Sequence, residues 1–207
     1  MIDSARHEPR GLWSVILAAG GSSRLGTPKQ LLRVHARPLL SHAVAAAEVV
    51  TPDRVLVVLG AHALKLRLLL NRRHPDVYTV TNADWLGGMA GSLAVGLSAL
   101  PRDSTAALLL LTDQPGVDAR SLQRLVRAWG YHPAQAAAAH YGGRLGVPAV
   151  LPRKLWAEAK QFGGDVGARH LLRENDTVST VVQMPEAAFD VDTEQDRERL
   201  VSGAFRR

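Results

Sequence analysis

The chain has 207 residues, enough for one domain with a substantial core, and its 25 Lys and Arg outnumber 19 Asp and Glu for a formal charge of +6. It contains no cysteine, which excludes disulfides, thiolate zinc sites, iron–sulfur clusters and cysteine nucleophiles. The cations are Arg-rich but scattered, and only 5% of residues are aromatic, so phosphate-bearing small molecules suit the chain better than nucleic acid.

Residues 1–11 are polar, lack the apolar stretch of a signal peptide and read as a flexible extension ahead of a single domain over 12–207. No uninterrupted apolar run approaches a membrane span, and a cytoplasmic protein is expected. The continuous apolar run 12–18 predicts a strand buried on both faces. A loop of small residues, 19–29, follows it. A helix over 39–50, a strand over 54–59, a helix over 61–72 and a strand over 77–81 come next. Residues 82–91 form a loop ahead of a helix over 92–100. The most apolar run, 106–111, is a strand that delivers Asp113, Gln114 and Pro115 at its C-terminal end, where ligands bind in open α/β sheets. Asp118 is the expected N-cap of a helix over 119–129, followed by a strand over 134–140.

Beyond residue 140 the pattern changes. A short strand over 149–151, a helix near 154–160, a helix capped by Asp165 and running to 173, a strand over 178–184 and a last helix over 194–201 are expected. The alternation of buried strands and helices implies an α/β fold of three layers, α/β/α and Rossmann-like. Its central sheet is mostly parallel, with antiparallel edge strands from the last third. The domain is expected to divide into an N-terminal part over 12–130 and a C-terminal part over 131–203.

The loop after the first strand reads Ala19-Gly20-Gly21-Ser22-Ser23-Arg24-Leu25-Gly26-Thr27-Pro28-Lys29, two cations around small residues with no acid between them. Small residues let backbone N–H groups approach a ligand, and Arg24 and Lys29 select an anion. It is not a Walker A loop, because Thr27-Pro28 stands where Lys-Ser/Thr is required, and it lacks Gly-x-Gly-x-x-Gly. On glycine content alone it is equally an ordinary β–α connection. Asp113 at one strand end and the pair Asp190 and Asp192 at another are carboxylates of the kind that hold Mg²⁺ together with substrate phosphates. Each also has a plainer reading as turn or helix-start chemistry. The eight His show no zinc spacing, and there is no Gly-x-Ser-x-Gly elbow.

The segment Leu17-Ala18-Ala19-Gly20-Gly21-Ser22-Ser23-Arg24 through Lys29 resembles the N-terminal signature of the MobA-like nucleotidyltransferases, in particular their molybdenum-cofactor cytidylyltransferase branch. Asn82-x-x-Trp85-x-x-Gly88-Met89-x-x-Ser92, Asp113-Gln114-Pro115, Gly164-Asp165-x-Gly167-Ala168-Arg169 and Asp190-x-Asp192 agree in order and spacing. The resemblance implies the nucleotide-diphospho-sugar transferase type of fold. It also implies transfer of CMP from CTP to the terminal phosphate of the molybdenum-bearing pterin, with Mg²⁺ and release of pyrophosphate. Alternatives are guanylyl or other nucleotidyl transfer to a different phosphorylated acceptor, or a non-catalytic factor that hands the cofactor to a molybdenum hydroxylase apoenzyme. Carried over by position, Arg24, Lys29 and Asp113 are catalytic. Leu17 to Ser23, Asn82, Gly88 and Ser92 bind the nucleotide, with Ala19 choosing the base. Asp113 and one of Asp190 and Asp192 hold metal, and Gln114, Pro148, Asp165 and Arg169 face the acceptor. Gly116 departs from the family, which usually has a larger apolar residue there.

Overall fold

Leu12–Ala18 forms β1, and every residue but Trp13 is buried, because the strand lies inside a sheet with helices on both faces. The computed structural model describes residues 11–161, 172 and 178–203. A two-stranded hairpin, β2 (Arg33–Val34) and β3 (Arg37–Pro38), follows the loop. His35 and Ala36 turn between its strands with φ of +48° and +63°. That conformation suits the tight hairpin turn, but His-Ala is not a dipeptide that announces one.

Helix α1 (Leu39–Val50), β4 (Val55–Leu59), α2 (Ala63–Arg73) and β5 (Tyr78–Thr81) agree with the sequence reading to within two residues. Helix α3 (Met89–Ala99) begins three residues earlier than expected, just after Gly88, whose φ of +96° makes the entry turn. Strand β6 (Ala106–Leu111) and α4 (Ala119–Trp129) form as expected, and the Asp118 carboxylate caps α4 by accepting from the Ser121 amide at 2.9 Å.

The larger difference lies in the last third. After β7 (Ala136–Tyr141), Gly142 and Gly143 turn the chain with φ of +55° and +73° into β8 (Arg144–Pro152), nine residues long where a three-residue strand was expected. Gly-Gly thus acts as a hairpin turn. A 3₁₀ turn and the short α5 (Trp156–Ala159) replace the expected helix near 154–160. Strand β9 (Val178–Gln183) and α6 (Glu194–Ser202) complete the described chain; the helix expected after Asp165 lies outside the described residues.

The sheet order is β5-β4-β1-β6-β8-β7-β9. Strands β5, β4, β1 and β6 are mutually parallel, and β8 runs antiparallel to both β6 and β7. Because β9 pairs in parallel with β7, the antiparallel strand is interior and not an edge as expected. Alternate residues feed the two faces: Ile16, Leu108 and Leu110 pack toward α1, α2 and α4, whereas Val15, Leu17 and Leu109 pack toward α3 and α5. Helix α3 lies close on the sheet, since a Cβ on Gly96 would stand 2.8 Å from Val58 and 2.9 Å from Val15. Among the described residues no helix is long and apolar enough to cross a membrane.

Candidate active site

The C-terminal ends of β1, β4 and β6 open on one side of the sheet, and the small-residue loop leaves β1 there. Leu17, Ala18 and Ala19 are buried, and Gly20 is exposed. A Cβ added to Gly20 meets nothing within 4 Å, whereas one on Gly21 would stand 2.9 Å from the Trp85 ring. The loop's carbonyls are turned inward: Gln30, 1% exposed, donates its Nε2 to the carbonyl oxygens of Ala18 at 3.1 Å and Gly20 at 2.9 Å. His62 Nε2 reaches the Gly21 carbonyl at 3.2 Å. The amides of Gly20, Gly21, Ser22 and Ser23 have no acceptor among the described residues, which is the arrangement an anion requires. Ser22, at φ +54°, accepts the Lys29 amide on its Oγ at 3.0 Å and so closes the loop on its second cation. Arg24 is exposed on its outer side.

A small apolar cluster brings the end of the chain to this loop. Leu25 from the loop, Val34 and Leu39 pack with Val191 and with Leu200 of α6. The Val191 amide donates to the Asp113 carbonyl at 2.9 Å, setting Asp192 beside Asp113. The helix-start role is taken by Thr193, whose Oγ1 accepts from the Asp196 amide at 3.2 Å while Asp196 accepts back from the Thr193 amide at 2.9 Å. Neither Asp190 nor Asp192 is therefore spent as the cap.

Lys29 Nζ donates to Asp113 Oδ2 at 2.6 Å and to Asp192 Oδ1 at 2.7 Å. Burial alone lowers the pKa of this amine, but Asp113 and Asp192 outweigh it and hold the group above the usual lysine value, so it is a cation. Asp190 stands differently: burial, and then the neighbouring charge of Asp113, push its pKa up to about 6. Asp113 Oδ1 and Asp190 Oδ1 are both buried without a hydrogen-bond partner. These orphaned hard oxygens fit a divalent cation such as Mg²⁺. Among the described residues no three Asp, Glu or His side chains converge to hold a metal by themselves, so the protein offers carboxylates to be completed by ligand oxygens.

Asn82 and Ser92 are buried, and Asn82 donates to Ser92 Oγ at 3.1 Å while accepting the Asp84 amide at 3.0 Å. They tie the end of β5 to α3. Gly88 stands between them at the start of α3. Of the residues expected on the acceptor side, two lie inside the fold. Gln114 is 4% exposed and its Nε2 lies 3.1 Å from the Val147 carbonyl, 3.0 Å from the Ala187 carbonyl and 3.3 Å from Tyr141 Oη. Pro148 is buried within β8. Both are interior supports, drawn inside because β8 enters the sheet beside β6. Asp165 and Arg169 lie outside the described residues. The sequence reading missed Gln30, His62 and Tyr141. A polar Gln beside Lys29 in an otherwise apolar stretch was the available signal for the first.

A mostly parallel sheet with an amide-lined loop after its first strand and carboxylates at neighbouring ends is the nucleotidyltransferase fold. Residues 14–178 match the MobA-like NTP transferase domain, and the chain belongs to that family. The bifunctional protein GlmU of Kineococcus radiotolerans is 30% identical over 179 residues, which are 85% of this chain and 32% of that protein. The chain thus spans about a third of the length of that relative. The crystal structure of Rv0371c from Mycobacterium tuberculosis superposes with a TM-score of 0.80 at 28% identity, covering 93% of this chain and 98% of that one. A structure of the same mycobacterial protein in complex with manganese gives a TM-score of 0.75, again at 28% identity over 93% and 98% of the two chains. The 4-diphosphocytidyl-2C-methyl-D-erythritol synthase of Anaerococcus prevotii shares the fold with a TM-score of 0.73 at 15% identity, over 95% and 96% of the chains.

Proposed function

We propose that this protein transfers CMP from CTP to the terminal phosphate of a molybdenum-bearing pterin and releases pyrophosphate. The observation that carries the reading is Lys29: its amide is bound into the phosphate loop and its ammonium reaches the carboxylates of Asp113 and Asp192. One residue thereby joins an anion cradle to a cation site, which is what in-line attack at an α-phosphorus needs.

In this reading the free amides of Gly20 to Ser23 receive the triphosphate, and Arg24 and Lys29 neutralise the leaving pyrophosphate. An acceptor phosphate oxygen forms the new bond to the α-phosphorus as the bond to the bridging oxygen of the β-phosphate breaks. That attacking oxygen is already ionised, so no side chain has to take a proton. Asp113 with Asp190 or Asp192 would hold Mg²⁺, which when bound offsets phosphate charge. The manganese complex of the mycobacterial relative supports a divalent ion in this family. Ala19, whose methyl lies under Gly60 and Trp85, belongs to the base pocket, and an Ala rather than Gly there favours CTP over GTP. A molybdenum hydroxylase apoenzyme is the proposed recipient of the product.

The test is thermal stabilisation by CTP, GTP, ATP and UTP with Mg²⁺, followed by pyrophosphate release in the presence of the molybdenum-bearing pterin. Selective stabilisation by CTP and pterin-dependent pyrophosphate release are expected. Selective binding of another NTP, or release only with a sugar or alcohol phosphate, would replace the base or the acceptor. Tight pterin binding with no release would make the chain a maturation factor instead of an enzyme.

A further inference from the structure

Lys29 is held at its backbone and at the tip of its side chain. Its backbone amide is held by Ser22 Oγ at 3.0 Å, while its ammonium lies 2.6 Å from Asp113 and 2.7 Å from Asp192. The ammonium is thus seated between the two carboxylates that a divalent cation would use. Only 17% of the Lys29 side chain and 14% of that of Asp113 is exposed, so water screens this contact poorly. A metal ion approaching the nucleotide-free protein meets carboxylate oxygens already engaged by a positive charge. The four-carbon stem lets the ammonium leave while the backbone stays fixed in the loop. A triphosphate on the free amides of Gly20 to Ser23 would offer that ammonium a second, stronger set of anionic partners.

We propose that Lys29 is a placeholder for the divalent cation: in the nucleotide-free protein it excludes metal from Asp113 and Asp192, and the triphosphate draws it away so that metal enters with the nucleotide. This rests on the reading above in which Asp113 is a metal ligand, and of the two alternatives left open there, Asp190 and Asp192, it takes Asp192, the one that Lys29 touches. Attraction between Lys29 and the carboxylates keeps the site neutralised when empty of substrate, and the same residue then becomes a phosphate ligand. Arg24, exposed on the loop's outer side, makes no ion pair with these carboxylates and does not share the role.

The test is Mn²⁺ binding to the chelator-treated full chain without nucleotide, read by electron paramagnetic resonance of the free ion, for wild type, Lys29→Met, Lys29→Gln and Lys29→Arg. Lys29→Met and Lys29→Gln should bind Mn²⁺ at least tenfold more tightly than wild type, and adding Asp113→Asn to Lys29→Met should abolish the gain. Lys29→Arg, which keeps a cation there, should stay weak. A second measurement needs no variant: in wild type, acylation of the Lys29 amine, read by peptide mass spectrometry, should be slow without metal and rise as Mn²⁺ saturates the carboxylates. If Lys29→Met and Lys29→Gln bind Mn²⁺ no better than wild type, or if Lys29 labelling stays constant while Mn²⁺ fills an Asp113-dependent site, the placeholder role is overturned. Wild type binding Mn²⁺ through Asp113 in the presence of CTP would then leave the ligand assignment standing. Absence of any Asp113-dependent binding, with or without CTP, would overturn both.

Discussion

Gln30 Nε2 and the Gly20 carbonyl are joined at 2.9 Å beneath the small-residue loop after β1, and the same amide group also reaches Ala18. A carbonyl held inward leaves its neighbouring N–H groups outward, so this buried side chain sets the polarity of the loop. Gln30→Ala removes the donor from the buried Ala18 carbonyl and the part-buried Gly20 carbonyl and should cost about 1–3 kcal/mol in denaturant melts. CTP binding, followed by calorimetry, should weaken by more than that of variants at distant core sites with equal loss of stability. Unchanged affinity would mean that the loop holds its shape without Gln30.

Asp113 presents one oxygen to Lys29 and one buried, unpartnered oxygen to the site. Asp113→Ala should lower pyrophosphate release on the order of a hundredfold or more, as removal of one charge-stabilising group does in other active sites. Raising Mg²⁺ should not restore it. Turnover within a few-fold of wild type would remove Asp113 from the mechanism.

Gly116 faces the backbone of Glu186: a Cβ there would stand 2.2 Å from the Glu186 carbonyl oxygen. Glu186 cannot retreat freely, because Ser121 Oγ donates to its carboxylate at 2.6 Å and Arg124 pairs with it. This accounts for glycine where the family usually has a larger residue. Gly116→Ala should destabilise by about 1–3 kcal/mol through overpacking. A melting temperature equal to wild type would show that the 185–187 turn yields.

Asp118 caps α4 from an exposed position. Burial acts to raise its pKa, but hydrogen bonds from the Ser121 amide and hydroxyl outweigh that and hold it below its ordinary value of 3.8. A carboxyl depressed in the folded state contributes stability above its unfolded pKa and loses it as pH falls through the folded value. Asp118→Ala should therefore cost about 1 kcal/mol at neutral pH, with the difference from wild type shrinking below pH ~4. Chemical melts from pH 7 to 3 would check this, a constant gap being the contrary result.

Ala19 is 5% exposed, and a Cβ on Gly60 would stand 2.8 Å from the Ala19 methyl and 2.5 Å from its carbonyl oxygen. Ala19→Gly opens that packing, and under the proposed function it frees the backbone of the base pocket. The ratio of CTP to GTP use should shift toward GTP on the order of tenfold. Competition assays with both nucleotides would show it, and a constant ratio would place base selection elsewhere.

Composition and local pattern alone determined the elements whose burial is unambiguous. Leu12–Ala18 and Ala106–Leu111 are continuous apolar runs that fit only interior strands, and Asp118 ahead of an amphipathic segment marks the start of α4. The small residues and two cations of the first loop were likewise legible, because anion binding by a backbone requires those residue types. Other features exist only in three dimensions. Arg144–Pro152 becomes an interior antiparallel strand because β6 and β7 both pair with it, and that pairing is what buries Gln114 and Pro148. Asp192 reaches Lys29 across 163 residues of chain through the packing of Val191 and Leu200 on Leu25. Spacing along a sequence cannot encode such a meeting, since it depends on which apolar surfaces find each other when the chain collapses. The sequence by itself determined that a small-residue loop with two cations and several carboxylates were present; the tertiary structure decided that Lys29 lies between two of those carboxylates.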